Sequence, residues 1–392
     1  MEVRENLTGR EKVTIVGFFV AIFIVGLDSF IISSLLTTIA TTFKATVGEV
    51  GIGVSLYALF YAIGAPVIAP FSERLPKKRM MMIGLILFTL STLLCGLSTN
   101  LSIFYLARSL AGLGAAMLTP SIYAYVGGNF SAKQVGKVMG IVMSALSLSI
   151  AIGIPVGSFI ASVASWRWSF YASAIVGVLA FVVILFAVLK DIPKITKYQS
   201  PFSHYRNILG NKKAVLGLIT LLIWMYGFYA FYTYLGTYIT RQFSLALPSV
   251  GLVFMVYGIA NFLSSFFGGW VGNFLGMRRT VVISGIVCSL AYIFGGLTTG
   301  SLVLFVVLLV IIAFTQGFAN PQLITYNATI LPESRGTMTS LSSSFLYLGL
   351  TVGSALGGVI FSNSSFTGLT VSSAIATIIA LLIGAFLYRS KE

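Results

Sequence analysis

The sequence contains few charged residues: only 8% of its 392 residues are Asp, Glu, Lys or Arg, and it has a single histidine. Soluble domains carry about 25% charged residues, so this scarcity excludes a water-soluble enzyme, a secreted disulfide scaffold and a disordered tail. The two cysteines, Cys95 and Cys288, lie far apart in apolar runs and provide neither a disulfide framework nor a zinc site. Hydrophobic residues make up 57% of the chain, and the mean hydropathy is +1.00. These values indicate an integral membrane protein.

Twelve apolar segments are long enough to cross a bilayer, which requires about 20 residues of helix. They lie near 13–39, 49–70, 80–98, 101–127, 138–161, 168–189, 214–240, 249–272, 280–298, 302–328, 338–361 and 366–388. Short polar turns at 98–101 and 298–302 separate neighbouring segments. The sequence therefore predicts an all-α integral membrane protein with 12 transmembrane helices.

The basic residues predict the orientation of these helices. With the N-terminus inside, 20 of the 24 Lys and Arg residues face the cytoplasm, and Arg108 lies within a span. The three remaining ones, Lys44, Arg167 and Arg241, lie outside. This asymmetry follows the positive-inside rule and predicts cytoplasmic N- and C-termini. The net charge of +15 therefore reflects topology rather than nucleic-acid binding. We expect a multi-pass protein of the inner (plasma) membrane, with the lipid bilayer as its surroundings.

An internal repeat divides the chain into two halves. Shifting the sequence by 200 residues places 136–160 over 336–360, with small residues aligned inside equivalent spans. The polar, basic segment 190–213 separates the two copies. We predict an N-terminal six-helix bundle at 1–189, a cytoplasmic linker at 190–213 and a C-terminal six-helix bundle at 214–392. Halves with the same topology are related by an axis along the membrane normal.

Asp28 and Arg108 are the two charged residues that topology does not require. Asp28 is 16 residues from Lys12 and from Lys44, about 24 Å of helix on either side, and so lies near the bilayer midplane. A charge there costs about 2.5–3.5 kcal/mol and is functional by default. Burial favours the neutral carboxyl and a nearby Arg favours the carboxylate, so the two residues together predict proton coupling. A static ion pair, or an Arg108 solvated by backbone carbonyls, is the alternative.

The second half has no embedded charge, and its candidate substrate residues are neutral. Tyr226, Tyr229 and Thr233 share one helix face by their spacing, and Gln316 and Asn320 are one turn apart. Facing a cavity, the aromatic rings would stack on flat or cationic substrates. Facing lipid, they would form an interfacial aromatic belt instead.

Several local motifs resemble those of the major facilitator superfamily, most closely its drug:proton antiporter branches. Residues 69–78 read Ala-Pro-Phe-Ser-Glu-Arg-Leu-Pro-Lys-Lys, similar to the basic loop between spans 2 and 3 of that family, although both of its glycines are replaced. Residues 106–114 resemble the family's Arg motif in span 4, with Ala111 in place of glutamine. Residues 153–157, Gly-Ile-Pro-Val-Gly, resemble the exporter signature of span 5. The resemblance covers nearly the whole chain and implies two pseudo-symmetric six-helix bundles.

The resemblance also implies which residues control the conformational change. In the family, the loop between spans 2 and 3 latches the cytoplasmic helix ends, and the span-5 signature accompanies export. By this resemblance the gate and conformational residues are Glu73, Arg74, Lys77, the second-half counterpart Asn273, and Gly153, Pro155 and Gly157. The alternative for the basic loop is that its charges only fix topology.

The sequence therefore predicts a proton-coupled antiporter that exports small amphipathic or aromatic molecules, drug-like compounds included, by alternating access. An exporter of one endogenous metabolite (a sugar, purine or amino acid) is the alternative, followed by a lipid flippase or a non-transporting receptor. No phosphate loop, His/Cys cluster or Ser-His-Asp set supports enzyme chemistry, and no cofactor or metal is expected. The expected partners are protons and a small-molecule substrate. The sequence does not specify an oligomeric state, and we expect a monomer.

Overall fold

The structure, a computed structural model, describes residues 7–189, 201–297, 300–331 and 334–388, which form fifteen α-helices and no strand. The first half contains α1 (Gly9–Phe30), α2 (Ile32–Phe43), α3 (Val47–Arg74), α4 (Lys77–Leu97), α5 (Leu101–Asn129), α6 (Ala132–Leu148), α7 (Ile154–Val163) and α8 (Trp166–Ala187). The second half contains α9 (Pro201–Gly210), α10 (Lys212–Phe243), α11 (Leu247–Leu275), α12 (Met277–Leu297), α13 (Leu302–Ile330), α14 (Arg335–Asn363) and α15 (Phe366–Tyr388).

Twelve membrane-length helical spans are present, which confirms the predicted number. Two spans are interrupted. In the first, α1 and α2 are separated by the single residue Ile31. In the fifth, α6 and α7 are joined by the π-helical turn Ser149–Gly153, two residues before Pro155. Proline has no backbone N–H to donate, and a π-helical turn is one way a helix accommodates the lost hydrogen bond.

Polar residues in the short connections explain where the helices begin. A side-chain oxygen just before a helix accepts hydrogen bonds from the free backbone amides of the first helical turn. Loss of such a capping side chain destabilises the helix by about 1 kcal/mol. Six helices begin this way, and their capping residues are Thr8, Thr46, Asn100, Ser165, Asn211 and Ser301. Asn100 and Ser301 belong to the two tight turns predicted from the sequence.

The internal repeat appears in the structure as a pseudo-twofold relation between the halves. Thr37 Oγ1 of α2 donates a hydrogen bond to Thr237 Oγ1 of α10 at 3.1 Å, and these two residues are 200 positions apart. Equivalent residues of two related halves can meet only near the axis that relates them. Lys44 and Ser244, also 200 apart, end α2 and α10 in the same left-handed conformation, with φ of 53° and 50°. The predicted fold class is therefore confirmed.

The two halves are in close contact towards one face of the membrane. We call the end of the bundle at which α1 and α10 begin the basic face, and the other end the opposite face. Towards the opposite face, the hydroxyls of Ser55 (α3) and Ser354 (α14) are 2.6 Å apart, and a Cβ at Gly251 would lie 3.0 Å from Pro155 Cα. Towards the basic face, α11 packs less on α6, and no heavy atom lies within 4 Å of a Cβ built at Gly140. The contacts of α6 and α7 with α11 are therefore tighter at the opposite face than at the basic face.

Part of the predicted linker 190–213 is helical. Residues 190–200 lie outside the described residues, but α9 packs on the second half through Ile208, which is buried with Leu218 and Met338. The Tyr205 hydroxyl donates to the Pro66 carbonyl of α3 at 3.2 Å. Helix α9 therefore connects both halves at the basic face, while the exact limits of the two bundles stay a prediction.

Candidate functional site

Asp28 and Arg108 form an ion pair inside the first half. Asp28 lies at the end of α1, just before the break at Ile31, and Arg108 lies in the second turn of α5. Arg108 Nη1 contacts Asp28 Oδ2, and neither side chain has any exposed surface. Arg108 Nη1 also lies 3.3 Å from the Asp28 carbonyl, and its guanidinium stands 4.4 Å from the centre of the Tyr57 ring. The structure therefore brings together the two charged residues singled out from the sequence.

Glycines allow the helices around this pair to approach closely. A Cβ at Gly112 on α5 would collide with the Tyr57 carbonyl of α3, so any larger residue would push these helices apart. A Cβ at Gly53 would lie 3.4 Å from Arg108 Cγ. The Gly53 carbonyl is itself 3.4 Å from Arg108 Nε, a long hydrogen bond. These small residues hold the arginine against α3, where its charge faces Asp28.

The ion pair is incompletely hydrogen-bonded. Asp28 Oδ1 and Arg108 Nη2 are both buried, and neither has a hydrogen-bond partner among the described residues. The buried hydroxyl of Thr92, on α4, lies beside the Asp28 carboxyl. The free-energy cost of removing two charges from water is offset in full only when the remaining donor and acceptor atoms of the pair also form hydrogen bonds. Asp28 Oδ1 and Arg108 Nη2 thus have capacity for further hydrogen bonds.

A group of polar and aromatic side chains connects the ion pair with the second half. Ser29 Oγ and Tyr57 Oη are hydrogen-bonded at 3.0 Å, beneath the arginine. The Tyr347 side chain of α14 lies beside the Ser29 hydroxyl, and its ring stacks on Tyr61 of α3 at 3.7 Å between centroids. We call Ser29, Tyr57, Tyr61 and Tyr347 the tyrosine link. Its members were not identified from the sequence, although Tyr57 aligns with Tyr257 at the 200-residue repeat.

The residues of the predicted aromatic face of α10 have different neighbours. Tyr229 stacks on Phe30 of the first half, with ring centroids 6.4 Å apart and an interplanar angle of 11°. Tyr226 instead points to α15, where its hydroxyl is 2.7 Å from Ser372 Oγ. Thr233 is buried, with 1% of its surface exposed. Of these three residues, Tyr229 is the one whose ring contacts the other half.

The two predicted amides of α13 also differ. Gln316 is a correction to the sequence analysis, because it lies in the core of the second half rather than on a cavity wall. Its Oε1 accepts from Trp224 Nε1 at 2.8 Å, its Nε2 is 3.5 Å from the Tyr292 hydroxyl, and only 1% of its surface is exposed. Asn320 is half-buried, and its Oδ1 is buried without a hydrogen-bond partner. Asn320 therefore stays a candidate for substrate contact.

The second half has an aromatic cluster where the first has its charged pair. Phe228 stands 200 positions after Asp28, and its ring lies 5.0 Å from that of Tyr232 and 6.1 Å from that of Tyr257. The Tyr232 ring also meets Phe30 of the first half edge-on at 5.7 Å. The two halves therefore share a fold but differ in chemistry, with one polar centre and one aromatic centre.

The basic loop between α3 and α4 is described only in part. The side chains of Glu73, Arg74 and Asn273 lie outside the described residues, so their predicted gating role stays a prediction. Lys77 is half-buried in the first turn of α4. The next residue, Lys78, donates from Nζ to the carbonyls of Leu185 and Val188 at the end of α8, at 2.6 and 2.7 Å. Cations at a helix C-terminus are stabilising, so Lys78 has a structural role in this conformation.

The span-5 signature forms a contact between the halves. A Cβ at Gly153 would lie 3.0 Å from the Leu27 side chain of α1, next to Asp28. The Gly157 carbonyl accepts a hydrogen bond from Ser169 Oγ at 2.7 Å, and Pro155 packs against Gly251 of α11. The segment thus lies between the helix that carries Asp28 and a helix of the second half.

No metal site is evident in the part of the chain that the structure describes, where no three His, Cys, Asp or Glu side chains converge. The site therefore consists of a buried ion pair, a tyrosine link to the second half and an aromatic cluster. Its chemistry is that of one carboxyl, one guanidinium and a set of aromatic rings.

Comparison with known proteins agrees with this architecture. The family model described as Major Facilitator Superfamily matches residues 18–248 and 225–392. The uncharacterized MFS-type transporter YceJ of Bacillus subtilis is 32% identical over 369 residues, covering 93% of this chain and 94% of that protein. Multidrug resistance protein 2 of the same organism is 28% identical and covers 79% of this chain and 78% of its own. The quinolone resistance protein NorA of Staphylococcus aureus is 25% identical and covers 81% of each chain.

A solved structure shows the same fold. The bacterial homologue of the human lysosomal transporter Spinster, in an inward-facing and unoccupied conformation, superposes with a TM-score of 0.77. It covers 98% of this chain and 97% of its own, at 16% sequence identity. At that identity the likeness speaks for the fold alone.

Proposed function

The chain belongs to the major facilitator superfamily, and we propose that it is a proton-coupled antiporter that exports small amphipathic or aromatic molecules. As a member of this family it is a multi-pass membrane transporter of small molecules rather than an enzyme. The observation that carries the proposal is the buried, incompletely hydrogen-bonded ion pair of Asp28 and Arg108.

Protonation of Asp28 would remove a large part of the electrostatic attraction between Asp28 and Arg108. A neutral carboxyl no longer attracts the guanidinium, and losing one partner of a buried pair costs about 3–5 kcal/mol. Moving a two-state equilibrium from 1:99 to 99:1 requires about 5.5 kcal/mol. If the pair is broken in the other conformation, one proton at Asp28 shifts the conformational equilibrium by a free energy of this order.

The tyrosine link offers a route from the ion pair to the interface between the halves. A shift of Arg108 away from Asp28 changes its position over the Tyr57 ring, and Tyr57 is hydrogen-bonded to Ser29. Tyr347 of α14 lies beside Ser29. A change in the charge of Asp28 would thus alter contacts of the second half directly, as coupled alternating access requires.

The aromatic residues at the interface support an aromatic or amphipathic substrate. Tyr229 and Phe30, contributed by different halves, stack on one another, as do Tyr61 and Tyr347. Such rings provide faces for flat or cationic molecules. The relatives named for multidrug and quinolone resistance support the same class of substrate.

The distribution of basic residues indicates which side of the transporter faces the cytoplasm. By the positive-inside rule the basic face is cytoplasmic, so the tighter contacts between the halves close the transporter at the outer side of the plasma membrane. An exporter loads its substrate in this state. Conversion to an outward-open state requires separation of contacts such as Thr37–Thr237.

The proposal is tested by efflux from cells or inverted vesicles with a panel of dyes, quinolones, sugars, purines and amino acids, with and without a protonophore. We expect export of the aromatic, amphipathic compounds, and loss of this export with the protonophore or with Asp28→Asn. Glu49→Gln is the matched control, since Glu49 is an exposed acid at the opposite face whose capping of α3 a glutamine can retain. Export restricted to one sugar, purine or amino acid, or export insensitive to the protonophore, would contradict the proposal.

A further inference from the structure

A cavity of about 390 Å³ lies at the opposite face, above the Thr37–Thr237 contact between the halves. Its walls come from α2 and the start of α3 on one side and from α10 and α14 on the other. The lining residues used below are Thr41, Lys44, Thr46, Arg241, Phe361 and Ser362. The cavity opens on the face at which the two halves are in contact.

Two cations from different halves converge on the cavity. Lys44 and Arg241 are two of the three basic residues placed outside by the charge distribution of the whole chain. Neither has a carboxylate partner among the described residues, and no acidic side chain lines the cavity. The nearby carboxylate of Glu49 is already bonded to the backbone amide and hydroxyl of Thr46, at 2.7 and 2.8 Å. The cavity is therefore positively charged on both sides of the interface.

Helix ends explain each cation separately but do not explain their convergence. Lys44 caps α2, and Arg241 lies in the last turn of α10, positions where the helix dipole favours a positive charge. At the 200-residue repeat, however, the equivalent of Lys44 is Ser244, so the second half uses a different position for its cation. The Arg241 guanidinium stands 5.6 Å from the centre of the Phe361 ring, on the cavity wall.

We propose that this cavity binds a phosphate-bearing anion from outside the cell and that the bound anion holds the opposite face closed. Arginine presents a fork of donors that matches phosphate oxygens, and lysine adds a mobile point charge. The Ser362 hydroxyl lies within the same cavity. An anion can touch Lys44 and Arg241 together only while the halves are in contact at this face. Closure without an anion leaves two exposed cations on the walls of one cavity, and a bound anion offsets their repulsion, which water screens in part.

The phosphate can come from two sources, which share this chemistry. Free inorganic phosphate or a phosphate ester would enter from the aqueous side, and the phosphodiester headgroup of an anionic lipid would enter from the outer leaflet. The cavity lies at the membrane surface on either route, so the test includes one arm for each source.

The test measures closure of the opposite face directly. Spin labels are attached at Ser162→Cys on α7 and Ala246→Cys before α11, two exposed positions on different halves at this face. The native Cys95 and Cys288 are buried, which limits background labelling. Double electron–electron resonance then reports the distance between the labels in detergent with inorganic phosphate or matched sodium chloride. A second series uses nanodiscs of phosphatidylcholine with or without phosphatidylglycerol.

We expect phosphate, phosphatidylglycerol or both to raise the fraction of short distances above the matched control. Lys44→Gln or Arg241→Gln should raise the phosphate concentration that gives half of the maximal effect about fivefold. This is the range for one charge-assisted contact near the surface. Lys212→Gln removes the same charge at the basic face and should leave the response unchanged. Equal responses to phosphate and chloride, or an unchanged response in both Lys44→Gln and Arg241→Gln, would overturn the proposal. Because the readout is a distance, its failure does not bear on proton-coupled export.

Discussion

Replacing Asp28 by asparagine would leave the Arg108 guanidinium buried without a counter-charge. Arg108 has no exposed surface, and its remaining contacts are two backbone carbonyls and the Tyr57 ring. Removing one partner of a buried ion pair destabilises a protein by about 3–5 kcal/mol. We therefore expect Asp28→Asn to lose both thermal stability and proton-driven export, so this variant alone does not separate a structural from a functional role.

The double variant Asp28→Asn/Arg108→Gln separates the two roles. It removes both charges and so leaves no uncompensated buried charge, which is the cause of the loss of about 3–5 kcal/mol in the single variant. Asparagine and glutamine can also bond to each other or to the Gly53 carbonyl that Arg108 contacts. We expect the double variant to regain most of the stability lost in Asp28→Asn, without regaining proton-driven export.

The assay combines thermal unfolding in detergent with efflux from vesicles under an imposed pH gradient. Thermal unfolding reports whether the neutral pair restores the fold, and efflux reports whether it restores coupling. Wild-type export by the double variant would refute the assignment of coupling to this pair. A double variant as unstable as Asp28→Asn would refute the argument that the unpaired Arg108 charge causes the loss of stability.

Three further predictions follow from side-chain contacts. Gly236→Ala should shift the spin-label distances at the opposite face to longer values, because the new Cβ would collide with the α2 backbone. Gly140→Ala is the control and should leave these distances unchanged, since no heavy atom lies within 4 Å of its new Cβ. Gln316→Ala should lower the free energy of unfolding by about 1–3 kcal/mol by leaving a buried indole N–H unpaired, while the order of preference among substrates stays unchanged. Tyr229→Ala should weaken the apparent affinity for aromatic substrates about fivefold, and Tyr229→Phe should retain it, as competition in the efflux assay would show.

The helices and their repeat were predictable because hydropathy and charge act at the level of whole segments. A bilayer requires about 20 apolar residues per helix whatever their neighbours, so all twelve spans follow from local composition. The shift of 200 residues predicts the pseudo-twofold relation, which the Thr37–Thr237 contact displays. The break at Ile31 was not predicted, because no proline or glycine stands at that position to mark it.

Site residues were predictable where a charge lies in an apolar segment. Asp28 and Arg108 stand out in the sequence for this reason, and the structure brings them into contact. Gln316 was misplaced because helical spacing shows that a residue shares a face with others but not which neighbour that face meets. Its side chain meets the indole of Trp224 within its own half. Only the packing of three helices decides this.

The tyrosine link was missed for a related reason. The chain contains 18 tyrosines, many of them within spans, so tyrosine in an apolar segment does not single out Tyr57 or Tyr347. Their significance comes from contacts across sequence distances of tens to hundreds of residues, such as the stacking of Tyr61 on Tyr347. Alignment of Tyr57 on Tyr257 was the one available signal, and it concerns the fold as much as the site.

The most direct test of the account is the release of protons from the purified transporter when substrate is added. In weakly buffered detergent solution, a pH indicator should record protons released by the wild-type protein on addition of an exported aromatic compound. The double variant Asp28→Asn/Arg108→Gln should bind the same compound and release none. Equal proton release from the wild type and the double variant would contradict the claim that Asp28 carries the coupled proton.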